Sequence, residues 1–253
     1  MSAVKRLVVA NWKMHKTQAQ TRAFVADLLG RTLPLDAVDV VICPPFTALD
    51  AARDALGDAP IGLGAQNVHW APQGAFTGEI SAPMLVELGV RWVIIGHSER
   101  RALFGELDFR VNEKVQIALA YGITPIVAVG ETEDEHAAGL ARTRVEAQVR
   151  AAFADVPAQQ VARCVVAYEP IWAIGTGRAD SPPQADAILA AIRGAVEGLR
   201  EARILYGGSM NLENVAAFVA QPNIDGGLVG GASLDPATFS ALLDAARKGA
   251  SAT

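Results

Sequence analysis

Short runs of apolar, mostly β-branched residues recur along the chain, each followed by turn residues and then by apolar positions at helical spacing. Most of these runs are continuous rather than alternating, which is typical of parallel strands buried on both faces. The pattern predicts strands at Arg6–Ala10, Val38–Cys43, Ile61–Ala65, Trp92–Ile95, Ile123–Val129, Cys164–Tyr168, Arg203–Tyr206 and Gly227–Val229.

The segments between these strands have the spacing of amphipathic helices. We expect Thr47 to cap its helix, because an acidic residue follows it three positions later. The pattern predicts helices at Thr17–Leu29, Thr47–Leu56, Asp108–Ala120, Leu140–Phe153, Pro183–Leu199 and Glu213–Ala220.

Strand and helix alternate through 253 residues with no break in composition. An α/β chain of this length fits one closed parallel barrel, which typically needs about 250 residues. We therefore predict a single (β/α)₈ barrel domain covering residues 1–253. An open doubly wound sheet is the alternative, but no Gly-x-Gly-x-x-Gly motif follows the first strand.

Composition narrows the class of protein. Hydrophobic residues make up 51% and charged residues 19%, enough apolar material for a large core. The net charge of −5 gives no basic field for nucleic acid or an anionic membrane. No apolar run approaches the roughly 18 residues of a membrane span, so we expect a cytoplasmic protein. Cys43 and Cys164 lack metal-ligand spacing, and we interpret both as small buried hydrophobes.

A barrel places its functional residues just after its strands. Asn11 and Lys13 follow the first strand, where a lysine is either exposed or a fixed cation. His97 follows the fourth, and we expect Ser98 to cap a helix beginning there. The positive end of that helix favours a neutral imidazole that can donate a hydrogen bond. A partly buried structural histidine is the alternative, and Glu99–Arg101 suggests ion-pair scaffolding.

Glu169 ends the sixth predicted strand, where a carboxylate is paired, exposed or catalytic because its burial is costly. An apolar segment bounded by a proline and by glycines follows, which suggests a hinged lid. A connection that packs Trp172 into the core is the alternative. The lid residues are Pro170, Ile171, Trp172, Ala173, Ile174, Gly175, Thr176, Gly177 and Arg178.

Glycine-rich turns follow the last two strands, at 207–209 and 230–231. Loops at these two positions usually form the phosphate site of a barrel, because glycine lets backbone N–H groups approach an oxyanion. The connection 66–80 carries Val68, Trp70 and Phe76. So much apolar surface on a loop suggests an interface, although a self-packed Ω-loop is the alternative.

Motifs throughout the chain resemble those of the triosephosphate isomerase family. They are NWKMH, GAQNVHW, GAFTGEIS, GHSERRALFGE, VGET, AYEPIWAIGTGRAD, YGGS and LVGGASL, in that order. The resemblance implies a TIM barrel that interconverts dihydroxyacetone phosphate and glyceraldehyde 3-phosphate through an enediolate, without a cofactor or metal. Two positions depart from many members: Ala128 stands where cysteine is common, and Arg178 where lysine is common.

The same resemblance implies roles for individual residues. Glu169 is the expected base, His97 the electrophile, and Asn11 and Lys13 the substrate-binding groups. Residues 170–178 are the expected lid. The expected phosphate contacts are Gly175, Ser209, Gly230 and Gly231. A homodimer is also implied, in which the loop bearing Trp70, Phe76 and Thr77 inserts beside the partner's site.

Two other functions keep part of this pattern. Another phosphate-binding barrel enzyme, such as a lyase of indole-glycerol phosphate, would retain the glycine loops without the combination of His97, Glu169 and an apolar lid. A non-catalytic sugar-phosphate sensor would need no base opposite a neutral histidine. Turnover of glyceraldehyde 3-phosphate distinguishes the three.

Overall fold

The computed structural model describes residues 5–174 and 180–250, and its strands form one closed barrel. All neighbouring strands pair in parallel and in chain order, and the last pairs with the first. The strands are β1 Arg6–Asn11, β2 Val38–Cys43, β3 Gly62–Ala65, β4 Trp92–Ile95, β5 Thr124–Val129, β6 Val165–Tyr168, β7 Arg203–Tyr206 and β8 Gly226–Val229.

Helices connect the strands around the outside of the barrel. Within the described ranges they are α1 Gln18–Leu29, α2 Leu49–Leu56, α3 Ala82–Glu87, α4 Ser98–Phe104, α5 Asp108–Ala120, α6 Glu133–Ala137, α7 Ala141–Ala152, α8 Ala158–Val161, α9 Pro182–Ala195, α10 Val215–Val219 and α11 Pro236–Ala250. None of these helices combines the length and the apolar character needed to cross a membrane.

The predicted barrel is confirmed, and each predicted strand agrees with an observed one to within one residue at either end. The six predicted helices also exist, although α9 ends at Ala195 rather than Leu199. The prediction for Thr47 is wrong. A 3₁₀ turn, Phe46–Ala48, precedes α2, and Ala48 occupies the N-cap position without a side-chain hydrogen bond.

Two apolar layers stabilise the barrel. Successive side chains of a strand point to opposite faces. Along β1, Leu7 and Val9 belong to the cluster inside the barrel, while Val8 and Ala10 belong to the layer between strands and helices. Both faces are buried, which explains the continuous apolar runs. Cys43 and Cys164 are buried free thiols, as expected.

Gly226 illustrates how closely β8 approaches β1 where the barrel closes. Its φ is +149°, and a Cβ at this position would overlap the carbonyl oxygen of Leu7. We expect Gly226→Ala to lower the free energy of unfolding by at least about 3 kcal/mol, the upper end for overpacking. The helical Gly194 has open space around it, so Gly194→Ala should be neutral or stabilise by up to about 1 kcal/mol. Urea unfolding of both variants tests this, and equal effects would contradict it.

Candidate active site

The alternation of side chains along the strands sends two polar groups to the mouth of the barrel. Asn11 continues the inward series of Leu7 and Val9, and it is buried at the end of β1. Glu169 continues the inward series of Val165 and Ala167 one residue beyond β6. Both polar side chains therefore point into the same rim, above the apolar interior.

His97 reaches this rim through a tight turn after β4. Gly96 has φ +72°, and its N–H donates to Glu106 Oε1 at 2.9 Å. His97 itself is the N-cap of α4, and its Nδ1 accepts a hydrogen bond from the N–H of Glu99 at 3.2 Å. The expected cap, Ser98, is instead the first residue of the helix, and its N–H donates to Glu169. That prediction was wrong because the His97 imidazole, rather than the Ser98 hydroxyl, accepts the capping hydrogen bond.

Glu169 and His97 are in direct contact. The distance from Glu169 Oε1 to His97 Nε2 is 3.0 Å, and the N–H of Ser98 donates to Glu169 Oε2 at 2.9 Å. Both side chains are buried, with relative exposures of 2% and 6%. Because Nδ1 accepts a hydrogen bond, a neutral His97 ring carries its proton on Nε2 and donates it towards the carboxylate.

The pair also sets the ionisation of both groups. Burial raises the pKa of Glu169. The His97 ring and the Ser98 N–H together lower this pKa by more than burial raises it, so it lies below the ordinary 4.5. Burial lowers the pKa of His97, but the Glu169 carboxylate raises it above the ordinary 6.5. The expectation of a neutral ring rested on the helix terminus alone, and it left out this opposing effect of Glu169.

Lys13 supplies a cation beside the pair. Its Nζ lies 2.6 Å from Glu99 Oε1, and Glu99 Oε2 lies 3.7 Å from His97 Nδ1. Its backbone has φ +53°, a left-handed conformation that is uncommon outside glycine. Asn11 Oδ1 accepts a hydrogen bond from the Lys13 N–H at 3.2 Å. A side-chain bond of this kind favours a local turn.

The ion-pair scaffolding predicted for Glu99–Arg101 is confirmed. Glu99 pairs with Lys13, Arg100 Nε lies 2.8 Å from Glu106 Oε2, and Arg101 Nη1 lies 2.5 Å from Asp108 Oδ1. These bonds fix the first turn of α4, and with it the position of His97.

The residues predicted from the glycine turns line the same cavity as the acid–imidazole pair. Its volume is about 280 Å³. Gly207 makes room for the carboxylate, because a Cβ there would lie 2.9 Å from Glu169 Cγ. A 3₁₀ turn, Gly231–Ser233, follows Gly230, and the first N–H groups of such a turn have no partner within it. Predicted site residues that line the cavity are Asn11, Lys13, His97, Glu169, Ser209, Gly230 and Gly231.

The first part of the predicted lid, 170–174, lies beside this cavity. Ile171–Ala173 forms a 3₁₀ turn, and Ile174 lines the cavity. Trp172 is only partly buried, and its Nε1 donates to Glu131 Oε1 at 2.7 Å, so it is not a core residue of a plain connection. The remaining lid positions, Gly175, Thr176, Gly177 and Arg178, lie outside the described residues.

Sequence reasoning missed two polar residues here. Gln66 directly follows β3, and its Nε2 donates to the carbonyls of Lys13 and Cys43, each at 2.8 Å. Glu131 is buried under Trp172, and it also accepts from the Tyr168 hydroxyl at 3.1 Å. Both residues stand after strands, the position that identified His97 and Glu169, so the same rule would have found them.

A larger cavity lies elsewhere. It has a volume of about 520 Å³ and is lined by residues of α1 and of the loop after β8, beside His15 and Lys16. Neither Glu169 nor His97 lines it. We therefore place the chemistry in the smaller cavity, where the carboxylate, the imidazole and the cation converge.

A closed barrel with such a cavity at the carboxyl ends of its strands defines the class of (β/α)₈-barrel enzymes. The sequence profile of the family "Triosephosphate isomerase" matches residues 6–246. The chain belongs to the triosephosphate isomerase family. It is an isomerase that interconverts dihydroxyacetone phosphate and glyceraldehyde 3-phosphate in glycolysis.

Individual relatives support the same assignment. The triosephosphate isomerase of Symbiobacterium thermophilum is 52% identical over 246 residues, covering 95% of this chain and 96% of the relative. That of Chloroflexus aurantiacus is 52% identical over 239 residues, covering 92% and 96%. That of Carboxydothermus hydrogenoformans is 45% identical over 245 residues, covering 94% and 98%.

The contact between Glu169 and His97 predicts a change in titration. Replacing Glu169 by glutamine removes the negative charge that raises the pKa of His97, so this pKa should fall. The raised pKa stabilises the folded state fully below pH about 6.5, and this contribution is lost as the pH rises through the folded pKa. NMR titration of the histidines in Glu169→Gln measures the effect, with Glu201→Gln as the distant control. An unchanged or higher His97 pKa would contradict the proposed coupling.

Proposed function

We propose that Glu169 is the base that moves a proton between the two adjacent carbons of the triose phosphate. Its carboxylate removes a proton from the carbon beside the carbonyl, and the electrons of that C–H bond form the C=C bond of an enediolate. The carbonyl π electrons move onto the oxygen. Glu169 then returns the proton to the former carbonyl carbon. The O–H bond on the first carbon breaks as the new carbonyl forms there, and a proton is delivered to the former carbonyl oxygen, which becomes the new hydroxyl. A positioned base of this kind contributes roughly 10²–10⁴-fold.

His97 and Lys13 stabilise the negative charge that develops on the oxygen. Nε2 of His97 carries the donor hydrogen, and its position is fixed by the Nδ1 contact with α4. Losing one preorganised donor typically costs roughly 10²–10³-fold in turnover. Pairing a glutamate base with a neutral histidine is the established example of pKa tuning in this family. The pKa of His97 is raised in this structure because the Glu169 carboxylate contacts the ring.

Catalysis requires the carboxylate to leave that arrangement. A separation of 3.0 Å between Oε1 and Nε2 leaves no space for a carbon between the two groups. We propose that binding moves the Glu169 side chain off the Ser98 N–H and over the reacting carbons. Its pKa then rises, because it loses the His97 and Ser98 contacts that lower it while remaining buried. A higher pKa makes the carboxylate a stronger base.

The phosphate group is held by backbone N–H groups at Gly230, Gly231 and Ser209, with Gly175 as a further contact outside the described residues. The first N–H groups of the turn at Gly231 have no partner within the turn, which suits them to an anion. Residues 170–178 form the lid, which excludes water and protects the enediolate. Closure of such a lid is likewise established for this family. The net charge of −5 does not oppose phosphate binding, since salt screens exposed charges beyond about 8 Å.

Shortening the base tests its role. Glu169→Asp withdraws the carboxylate by about one bond length, and a 1 Å misplacement can cost about 10²-fold. We expect kcat to fall by at least about 10²-fold with little change in KM, in an assay that couples glyceraldehyde 3-phosphate conversion to a dehydrogenase. Glu201→Asp, near the opposite end of the barrel, is the matched control. A kcat of Glu169→Asp near that of the unmodified protein would refute the base assignment.

We further propose that the chain forms a homodimer. Large apolar side chains are exposed around the mouth of the barrel, including Met14 at 94% and Phe104 at 68%. Both line a groove of about 260 Å³ that also contacts Asn11, Lys13 and His97. The occupant we propose is the 66–80 loop of a second copy, whose Thr77 is exposed. A partner there would support catalytic residues directly.

The aromatic rings of that loop pack against one another. Phe76 lies 4.0 Å from the His69 ring, centre to centre, and Trp70 stacks on His69 at 3.9 Å. The guanidinium of Arg110 lies 4.0 Å above the Trp70 ring. Val68 is buried in its own barrel, so the self-packed alternative holds for that residue. Phe76, by contrast, remains 41% exposed and available to a partner.

A charge at the groove should separate the copies. Met14→Glu places a carboxylate where the partner loop would bury it, so we expect a monomer at micromolar concentration in sedimentation velocity, with reduced kcat. Leu140→Glu, which alters an exposed leucine at the start of α7, should leave the dimer intact. Equal sedimentation of the two variants would contradict this interface.

The proposal extends to the whole chain. We propose that residues 1–253 act as one domain, because the barrel closes between β1 and β8 and uses strands from both ends of the sequence. We also propose a cytoplasmic location, where the phosphorylated intermediates of glycolysis are kept. Fractionation of cells expressing a tagged chain tests the location.

A further inference from the structure

We propose that Gln66 is a positioning residue for the reaction, acting through the backbone of Lys13. This inference rests on the proposed role of Lys13 as a substrate-binding cation. Gln66 touches neither the carboxylate nor the imidazole in any hydrogen bond of the described residues. Its effect is to fix where the lysine side chain begins.

Lys13 needs such support because its backbone is in a sparsely populated conformation. A φ of +53° puts Cβ close to the following carbonyl oxygen, a cost that glycine avoids. Residues of this kind persist only where the surroundings hold them, and they cluster at active sites. Left unsupported, the chain around Lys13 would relax towards negative φ and carry the ammonium group away from the cavity.

Three side chains hold Lys13 in place, each at a different atom. Asn11 Oδ1 accepts from its N–H, and Glu99 Oε1 pairs with its Nζ. Gln66 Nε2 donates to its carbonyl oxygen at 2.8 Å. All three residues lie in the predicted motifs, but Gln66 was given no role there.

The second hydrogen bond of Gln66 connects Lys13 and its contacts to a strand of the barrel. An amide NH₂ group has two donor hydrogens, and the other one goes to the carbonyl of Cys43, also at 2.8 Å. Cys43 is the last residue of β2 and pairs with Asn11 in the barrel. Its carbonyl also accepts from the Trp12 N–H at 3.2 Å. The amide therefore ties the segment at Lys13 to the end of a buried strand.

A structural role alone would have a different signature. Losing two hydrogen bonds from a part-buried glutamine lowers stability but leaves the kinetics of the folded enzyme unchanged. If Gln66 positions Lys13, substituting Gln66 must change kcat and KM. The same substitution must have no effect in a variant that lacks the Lys13 ammonium group. Effects of residues that act as one unit are non-additive, whereas those of independent residues add.

The test compares variants of matched size. Gln66→Met keeps the length of the side chain and removes both donors. We expect kcat/KM to fall roughly 10–100-fold, with a raised KM and a lowered kcat, the scale of a 1 Å misplacement. Gln116→Met is the control, because Gln116 is a helix-surface glutamine bonded to Asn112. It should match the unmodified protein.

A double-mutant cycle then separates the two hypotheses. Lys13→Ala should lower kcat/KM strongly, and adding Gln66→Met to it should cause no further loss. If Lys13→Ala itself is nearly fully active, the proposed function of Lys13 fails. If Lys13→Ala is inactive but Gln66→Met stays within twofold of the unmodified protein, this inference alone is overturned, as it is by an additive loss in the double variant.

A second substitution covers the case in which Gln66→Met fails to fold. Gln66→Glu retains length and polarity but replaces two donors by acceptors that face carbonyl oxygens. It should lower kcat/KM at least as much as the methionine variant does, in protein whose circular dichroism matches that of the unmodified chain. Normal kinetics in folded Gln66→Glu would equally overturn the inference.

Discussion

The contact between Glu169 and His97 depends on the direction of the strands and on the alternation of side chains along them. β4 and β6 are not neighbours, since β5 lies between them. The two strands run in the same direction, so their carboxyl ends lie at one rim, and the alternation along β6 turns Glu169 inwards. A one-residue shift in that strand would point the carboxylate at the helices instead. The apolar layers inside and outside the strands therefore fix the geometry of the Glu169–His97 pair.

Charges in the cavity are held by short-range contacts rather than by the overall field. Two carboxylates, Glu169 and Glu99, stand beside one ammonium group and one imidazole. For Glu169 and His97 the contact between the two groups shifts both pKa values, lowering that of the carboxyl and raising that of the imidazole. The hydrogen bonds that lower the pKa of Glu169 also make it a weaker base, and this is the reason for proposing that the site rearranges for catalysis.

Much of the fold could be predicted from the sequence because strands buried on both faces leave continuous apolar runs. The candidate site residues could also be located in the sequence, since they directly follow those runs. Thr47 and Ser98 were assigned wrongly because capping depends on local competition: a 3₁₀ turn displaces the first, and the His97 ring replaces the second. Short helices such as α6 and α8 escaped because too few turns repeat the pattern.

Tertiary contacts explain what the sequence could not provide. The raised pKa of His97 comes from a residue 72 positions later in the sequence, and the role of Gln66 comes from carbonyls on two other segments. A neutral amide has no chemical signal of its own.

The most direct test of proton transfer by Glu169 is isomerisation of glyceraldehyde 3-phosphate in D₂O, with NMR analysis of the dihydroxyacetone phosphate formed. A proton held on a carboxyl group exchanges with solvent during the lifetime of the enediolate, so the account predicts deuterium on the carbon that receives it. Product that forms at the normal rate with no solvent deuterium would indicate a hydride shift and would contradict the account.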